Sequence, residues 1–207
     1  MNDQIKKCQD IANCFEFMPE SDGKNKQSDL PKLFLKHPIV NSVTFFGGSF
    51  NPFHEGHRAC LDLCPEKNIL IVPDRNPFKE RGIPENVYDQ FVDLAQNLKE
   101  TPYSLYSGFL TKESTNPTSS WLPHVKIAEK NFLMGDDSFM SLLRWKDPDI
   151  IAKSLTKLYV VPRIFNKGDY QKMEQELLKL NPHLVVHYLG EHRYMGLSSS
   201  EIKKNLK

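Results

Sequence analysis

FFGGSFNPFHEGH, residues 45–57, runs an apolar strand into two glycines and then sets two histidines three positions apart. Gly47 and Gly48 at a strand end allow a ligand close approach to the backbone. A helix starting near His57 would direct unpaired N–H groups at the same spot, which suits an anion. The stretch is neither G-x-x-x-x-G-K-[ST] nor G-x-G-x-x-G, so the two common phosphate loops are excluded. A metal competes for the histidines, because His54, His57, Cys60 and Cys64 form H-x2-H-x2-C-x3-C, and zinc takes such ligands. Yet positions 57, 60 and 64 also share a helix's core-facing side, and cysteine is among the most buried residue types.

Outward from this stretch the chain alternates. Apolar strand patterns fall at IVNSVTFFGG, KNILIVP, NFLMGDD, KLYVVP and HLVVHYLG. Helical patterns fall between them at HRACLDLC, PENVYDQFVDLAQNLKE, SFMSLLRW, DPDIIAKSL and YQKMEQELLKL, with SSSEIKKNL last. Near-continuously apolar strands alternating with helices predict an α/β fold, a Rossmann-like doubly wound parallel sheet with helices on both faces. Residues 1–38 stand apart as an N-terminal extension, partly helical. Ile5, Cys8, Ile11, Ala12 and Phe15 have helical spacing, a polar linker follows, and LPKLFLKH predicts a further turn or two of helix. Residues 39–207 form the main domain.

With 27 basic and 26 acidic residues, the net charge of +1 gives no field expected of a nucleic-acid or membrane binder. The apolar runs are too short to span a bilayer, and the N-terminus lacks a signal-peptide pattern. Four cysteines in 207 residues do not make a disulfide framework. These features predict a reduced, cytoplasmic protein; they do not predict its oligomeric state.

In such sheets ligands bind beyond the carboxyl ends of strands, where strand order reverses. Two further segments qualify. LMGDDSFMSLLRWKD places Asp136 and Asp137 directly after a strand, either to hold ribose hydroxyls or a metal, or to cap the following helix. Trp145 there is a core aromatic or a stacking platform. GLSSSEIKK has Ser198 and Glu201 at capping-box spacing, with Lys203 one turn in, a helix start suited to polyphosphate.

Taken in order, GGSFNPFHEGH, MGDDSFMSLLRWKD followed by VVPR, and GLSSSEIKK resemble the bacterial nicotinate-nucleotide adenylyltransferase family. That family lies in the nucleotidyltransferase superfamily marked by H-x-G-H and a late I-S-S-T-x-I-R. The resemblance covers residues 42–206 and implies ATP with Mg²⁺, adenylyl transfer to a pyridine mononucleotide, and no residue dedicated to a metal. It implies that His54 and His57 are the catalytic contacts to the ATP phosphates. Gly47, Gly48, Ser49, Phe50, Asp137, Ser199, Ser200 and Lys203 would bind ATP, and Lys79, Ser119 and Trp145 the acceptor. The chain departs from the pattern at Lys203 (arginine in the signature), at Phe78 (histidine in the family) and in TSSW, which lacks a tyrosine. These differences leave open nicotinate or nicotinamide mononucleotide, another phosphorylated acceptor, or a nucleotide-binding protein without turnover.

Overall fold

The computed structural model describes residues 33–34, 39–74, 87–106, 109, 116–163, 167–197, 199 and 202. The proposed N-terminal helix lies outside these residues. The central strand is β2 (Ser42–Gly48), which follows the short strand β1 (Leu33–Phe34). Helix α1 (Glu55–Leu63), β3 (Ile69–Pro73), α2 (Val87–Leu98) and β4 (Ser104–Tyr106) come next. The second half runs α3 (Thr118–Trp121), β5 (Glu129–Gly135), α4 (Asp136–Ser141), α5 (Pro148–Ser154), β6 (Lys157–Val161), α6 (Lys167–Leu180) and β7 (Val185–Tyr188).

The sheet order is β1-β4-β3-β2-β5-β6-β7. Six strands are parallel, and β1 alone runs antiparallel, pairing Leu33 with Tyr106 and Phe34 with Leu105. From β2 the chain winds outward through β3 to β4, then returns to place β5 on the other side of β2. The reversal therefore lies between β2 and β5, and the crevice beyond their carboxyl ends is framed by Gly47–Gly48 and Gly135–Asp137.

Side-chain alternation divides the core. Val43, Phe45, Leu70, Val72, Phe132, Leu158 and Val160 meet Trp121, Phe139, Ile151, Tyr170 and Leu177 on one face. Phe46, Ile69, Ile71, Leu133 and Val161 meet Cys60, Leu61, Cys64, Phe91 and Leu94 on the other. Strands covered on both faces must be apolar throughout, as the sequence pattern predicted. Leu94 and Leu133 are fully buried; truncating either to alanine costs about 2–5 kcal/mol.

Three expectations change. LPKLFLKH does not form a helical turn at Leu33–Phe34; these residues are the edge strand β1, because pairing with β4 satisfies backbone groups that β4 would otherwise leave open. Strand β4 itself was not expected. The helix assigned from Ser138 begins two residues earlier, at Asp136, with Gly135 as its N-cap. Asp136 and Asp137 are thus inside the first turn and do not cap it. Of the final helix, Ser199 and Ile202 are described, both with helical backbone.

Candidate active site

The two histidines build the start of α1. His54 is the N-cap, and its Nδ1 accepts the N–H of Gly56 at 3.1 Å. His57, three residues on, returns the arrangement: its Nδ1 accepts the N–H of His54 at 3.3 Å. This is a capping box in which both side chains are imidazoles. Since each Nδ1 accepts a backbone proton, each neutral ring carries its own proton on Nε2. The rings stack with centroids 3.7 Å apart, and His57 is further enclosed by Phe50 and Phe53 at 4.9 and 5.4 Å. Burial lowers the pKa of both, with the Arg163 charge acting in the same direction. For His57 the neighbouring His54 adds to this, and the value falls to about 3. Both rings are therefore neutral at pH 7. Gly56 is required by this stack: a Cβ there would lie 3.0 Å from His54 Nδ1 and Cε1.

The glycines of β2 serve two demands. Both line a cavity of about 540 Å³ at the crevice, yet a Cβ at Gly47 would also come within 3.2 Å of the Phe132 ring, and at Gly48 within 3.0 Å of Phe50. Phe50 adopts φ 46°, the left-handed region, and its ring is buried. Contact between Phe50 and a ligand is accordingly confined to its main chain. The buried Gln90 fastens the loop, its Nε2 donating to Ser49 O at 2.5 Å.

Across the crevice, Asp136 and Asp137 divide the work. Asp136 is fully buried and accepts the Arg163 N–H at 2.7 Å and the Tyr170 hydroxyl at 2.9 Å. Asp137 is half-exposed, lines the cavity, and lies 3.7 Å from the Arg163 guanidinium. Arg163 follows β6 and donates to Met195 O and Leu197 O at 3.2 and 3.0 Å. The C-terminal segment reaches the opening loop, where Ser199 Oγ donates to Pro52 O at 3.0 Å.

The cavity has an aromatic wall of Phe109, Trp121, Phe132 and Trp145, and a polar one that includes Asp74, Asn116, Thr118, Asp137, Ser138 and Ser141. Arg144 and Lys146 flank Trp145 in the lining. Trp145 is held edge-on to Phe132 at 6.4 Å, with its Nε1 donating to Ser141 Oγ at 3.2 Å. Asn116 donates to Asp74 at 3.2 Å.

The crevice therefore gathers Gly47, Gly48, Ser49, Asp137 and Trp145 at the cavity, and His54, His57 and Ser199 around the start of α1. Thr118 lines the cavity, while the neighbouring Ser119 hydroxyl donates to Asp147 Oδ2 at 3.2 Å. Lys79, Ser200 and Lys203 lie outside the described residues. Cys60 and Cys64 are buried among the apolar side chains of α1, and burial pushes their thiols up to about 12 and 11. Among the described residues no group of three or more His, Cys, Asp or Glu side chains is placed to hold a metal. Arg163 and Gln90 escaped the sequence reading. Arg163 carried one signal, its position directly after a strand end in VVPR.

A doubly wound sheet with a neutral histidine pair at a helix start beside its reversal point defines a nucleotide-binding α/β protein of the H-x-G-H type. Residues 45–205 match the family model described as cytidylyltransferase-like, and the chain belongs to that family. It is similar to proteins described as probable nicotinate-nucleotide adenylyltransferases. That of Caldicellulosiruptor bescii is 27% identical, over 78% of this chain and 85% of the relative. That of Methylacidiphilum infernorum is 29% identical over 84% of each, and that of Aquifex aeolicus 29% over 75% of this chain and 98% of the relative. No helix among the described residues is long and apolar enough to cross a membrane.

Proposed function

We propose that this protein transfers the adenylyl group of ATP to nicotinate mononucleotide, releasing pyrophosphate and forming nicotinate adenine dinucleotide, a step of NAD biosynthesis in the cytoplasm. The observation that carries the reading is the reciprocal capping of His54 and His57, which assigns each neutral ring an Nε2–H donor at a helix N-terminus. The names of the relatives supply the acceptor. Residues 39–207 constitute the transferase domain in this reading.

An oxygen of the acceptor's phosphate attacks the α-phosphorus of ATP in line. The new P–O bond forms as the bond to the β-phosphate's bridging oxygen breaks, and the electron pair leaves with pyrophosphate. The nucleophile is already anionic, so the protein need not remove a proton from it. Its contribution is positioning and stabilisation of charge on the transferring group. His54 and His57 donate from Nε2 to phosphate oxygens, and their neutrality lets them do so without changing protonation state. Ser200 and Lys203 supply further donors, while the Ser199 hydroxyl holds their segment to Pro52 O; Asp137 accepts from ribose hydroxyls. The acceptor ring lies against Trp145 in the aromatic half of the cavity. ATP binds as its Mg²⁺ complex. Mg²⁺ commonly keeps phosphate and water ligands with one or two carboxylates, which fits a cavity whose lining includes the carboxylates of Asp74 and Asp137; either would hold such an ion with the ATP phosphates.

The departures from the family pattern at Phe78 and TSSW, on the acceptor side of that pattern, keep a second reading, the same transfer to nicotinamide mononucleotide or another phosphorylated acceptor. A coupled pyrophosphate-release assay with ATP, Mg²⁺ and each mononucleotide separates them. Turnover with neither, despite ATP binding, would mean a non-catalytic nucleotide-binding protein. With the preferred acceptor, His57→Ala should lower the rate by about 10²–10³, the usual cost of one such donor.

A further inference from the structure

We propose that Arg163 is a positioning residue, whose guanidinium clamps the backbone of Met195 and Leu197 so that the segment carrying Ser199 is set before ATP arrives. Its nitrogens face protein acceptors. Nε donates to Met195 O at 3.2 Å, Nη2 to Leu197 O at 3.0 Å, and Nη1 lies 3.7 Å from Asp137 Oδ2. The base of the residue is tied as well, since its N–H donates to the buried Asp136, which Tyr170 also holds. Arg163 thus links the cavity side of the crevice, at Asp137, to the C-terminal segment.

That segment depends on polar ties. No residue from Gly190 to Leu197 is buried, so apolar contact contributes little to its placement. Its own turns are closed by Met195 N–H to His192 O at 3.3 Å and Leu197 N–H to Tyr194 O at 3.0 Å. The carbonyl of Tyr194 approaches Gly56 closely enough that a Cβ there would stand 3.4 Å away. The segment therefore lies against the start of α1, and Ser199 completes the contact through Pro52 O. A planar fork that reaches two carbonyls at once is a property of arginine that lysine lacks.

The ATP part of this inference rests on the proposed function; the backbone part does not. Two measurements on the full chain separate them. In Arg163→Lys, hydrogen exchange at the Met195 and Leu197 amides of the ligand-free protein should accelerate at least tenfold. Arg163→Ala should behave alike, with methylguanidinium slowing exchange again. In the coupled assay, Arg163→Lys should raise KM for ATP about tenfold or more, leaving KM for the acceptor within twofold. Unchanged exchange at those two amides overturns the inference, whether or not the wild-type protein turns over any mononucleotide. A fall in kcat with KM for ATP and exchange both unchanged also overturns it, and makes Arg163 a direct contact to the reacting phosphates.

Discussion

Acid should destabilise this fold through His57, and replacing His57 by glutamine should remove that part of the sensitivity. The folded-state pKa of His57 is about 3, against an ordinary 6.5. As pH falls through 6.5 the unfolded chain takes up the proton first, so stability is fully present above 6.5. It declines between 6.5 and 3, and the decline ends below 3. From pH 7 to pH 5 that difference integrates to a loss of about 2 kcal/mol for this one group. Glutamine suits the comparison because it is a normal capping-box residue: its Oε1 can still accept the His54 N–H, while it cannot titrate. Urea unfolding of both proteins at pH 7 and pH 5 measures the effect. The wild-type protein should lose about 2 kcal/mol more than His57→Gln between the two conditions. If the two proteins lost the same stability to within about 0.5 kcal/mol, the desolvation of His57 among Phe50, Phe53 and His54 would not be what sets its protonation, and the reasoning would fail.

Gly48→Ala should cost about 1–3 kcal/mol by overpacking, since its Cβ meets the Phe50 ring at 3.0–3.4 Å, and thermal unfolding would report it. Trp145→Ala removes an aromatic wall of the cavity. Its effect should fall on KM for the acceptor, about 10–100-fold, if stacking matches the 1–3 kcal/mol usual per base. Tyr159→Phe deletes a hydroxyl that donates to Glu66, also the partner of Lys157 at 3.1 Å. It should lower stability by about 1–2 kcal/mol in urea unfolding and leave kcat unchanged.

What the sequence disclosed depended on how local each cause is. Strand β2 and the histidine loop were legible because a continuous apolar run, paired glycines and a helix start are properties of adjacent residues. The reversal between β2 and β5 was legible only as a rule of the fold class, since nothing in either strand names its neighbour. Strand β1 was not legible at all, because two residues become a strand only when β4 offers an edge. Which face of α3 meets the cavity was not legible either, since in a helical turn a shift of one residue rotates the side chain by about 100°. Thr118 accordingly reaches the cavity while Ser119 meets Asp147. Arg163 was hidden for a different reason. Its partners are main-chain carbonyls 32 and 34 residues away, and a carbonyl leaves no trace in residue identity. The glycines had been read as room for a ligand, and the structure adds that Phe132 and Phe50 already occupy the space behind them. The GG pair is therefore constrained from the core as well as from the crevice, so its presence alone would not distinguish a catalytic chain from one that has kept the fold and lost the reaction. The stacked histidines likewise cap the start of α1, so the rate of His57→Ala set against its stability is what separates a catalytic role from a structural one.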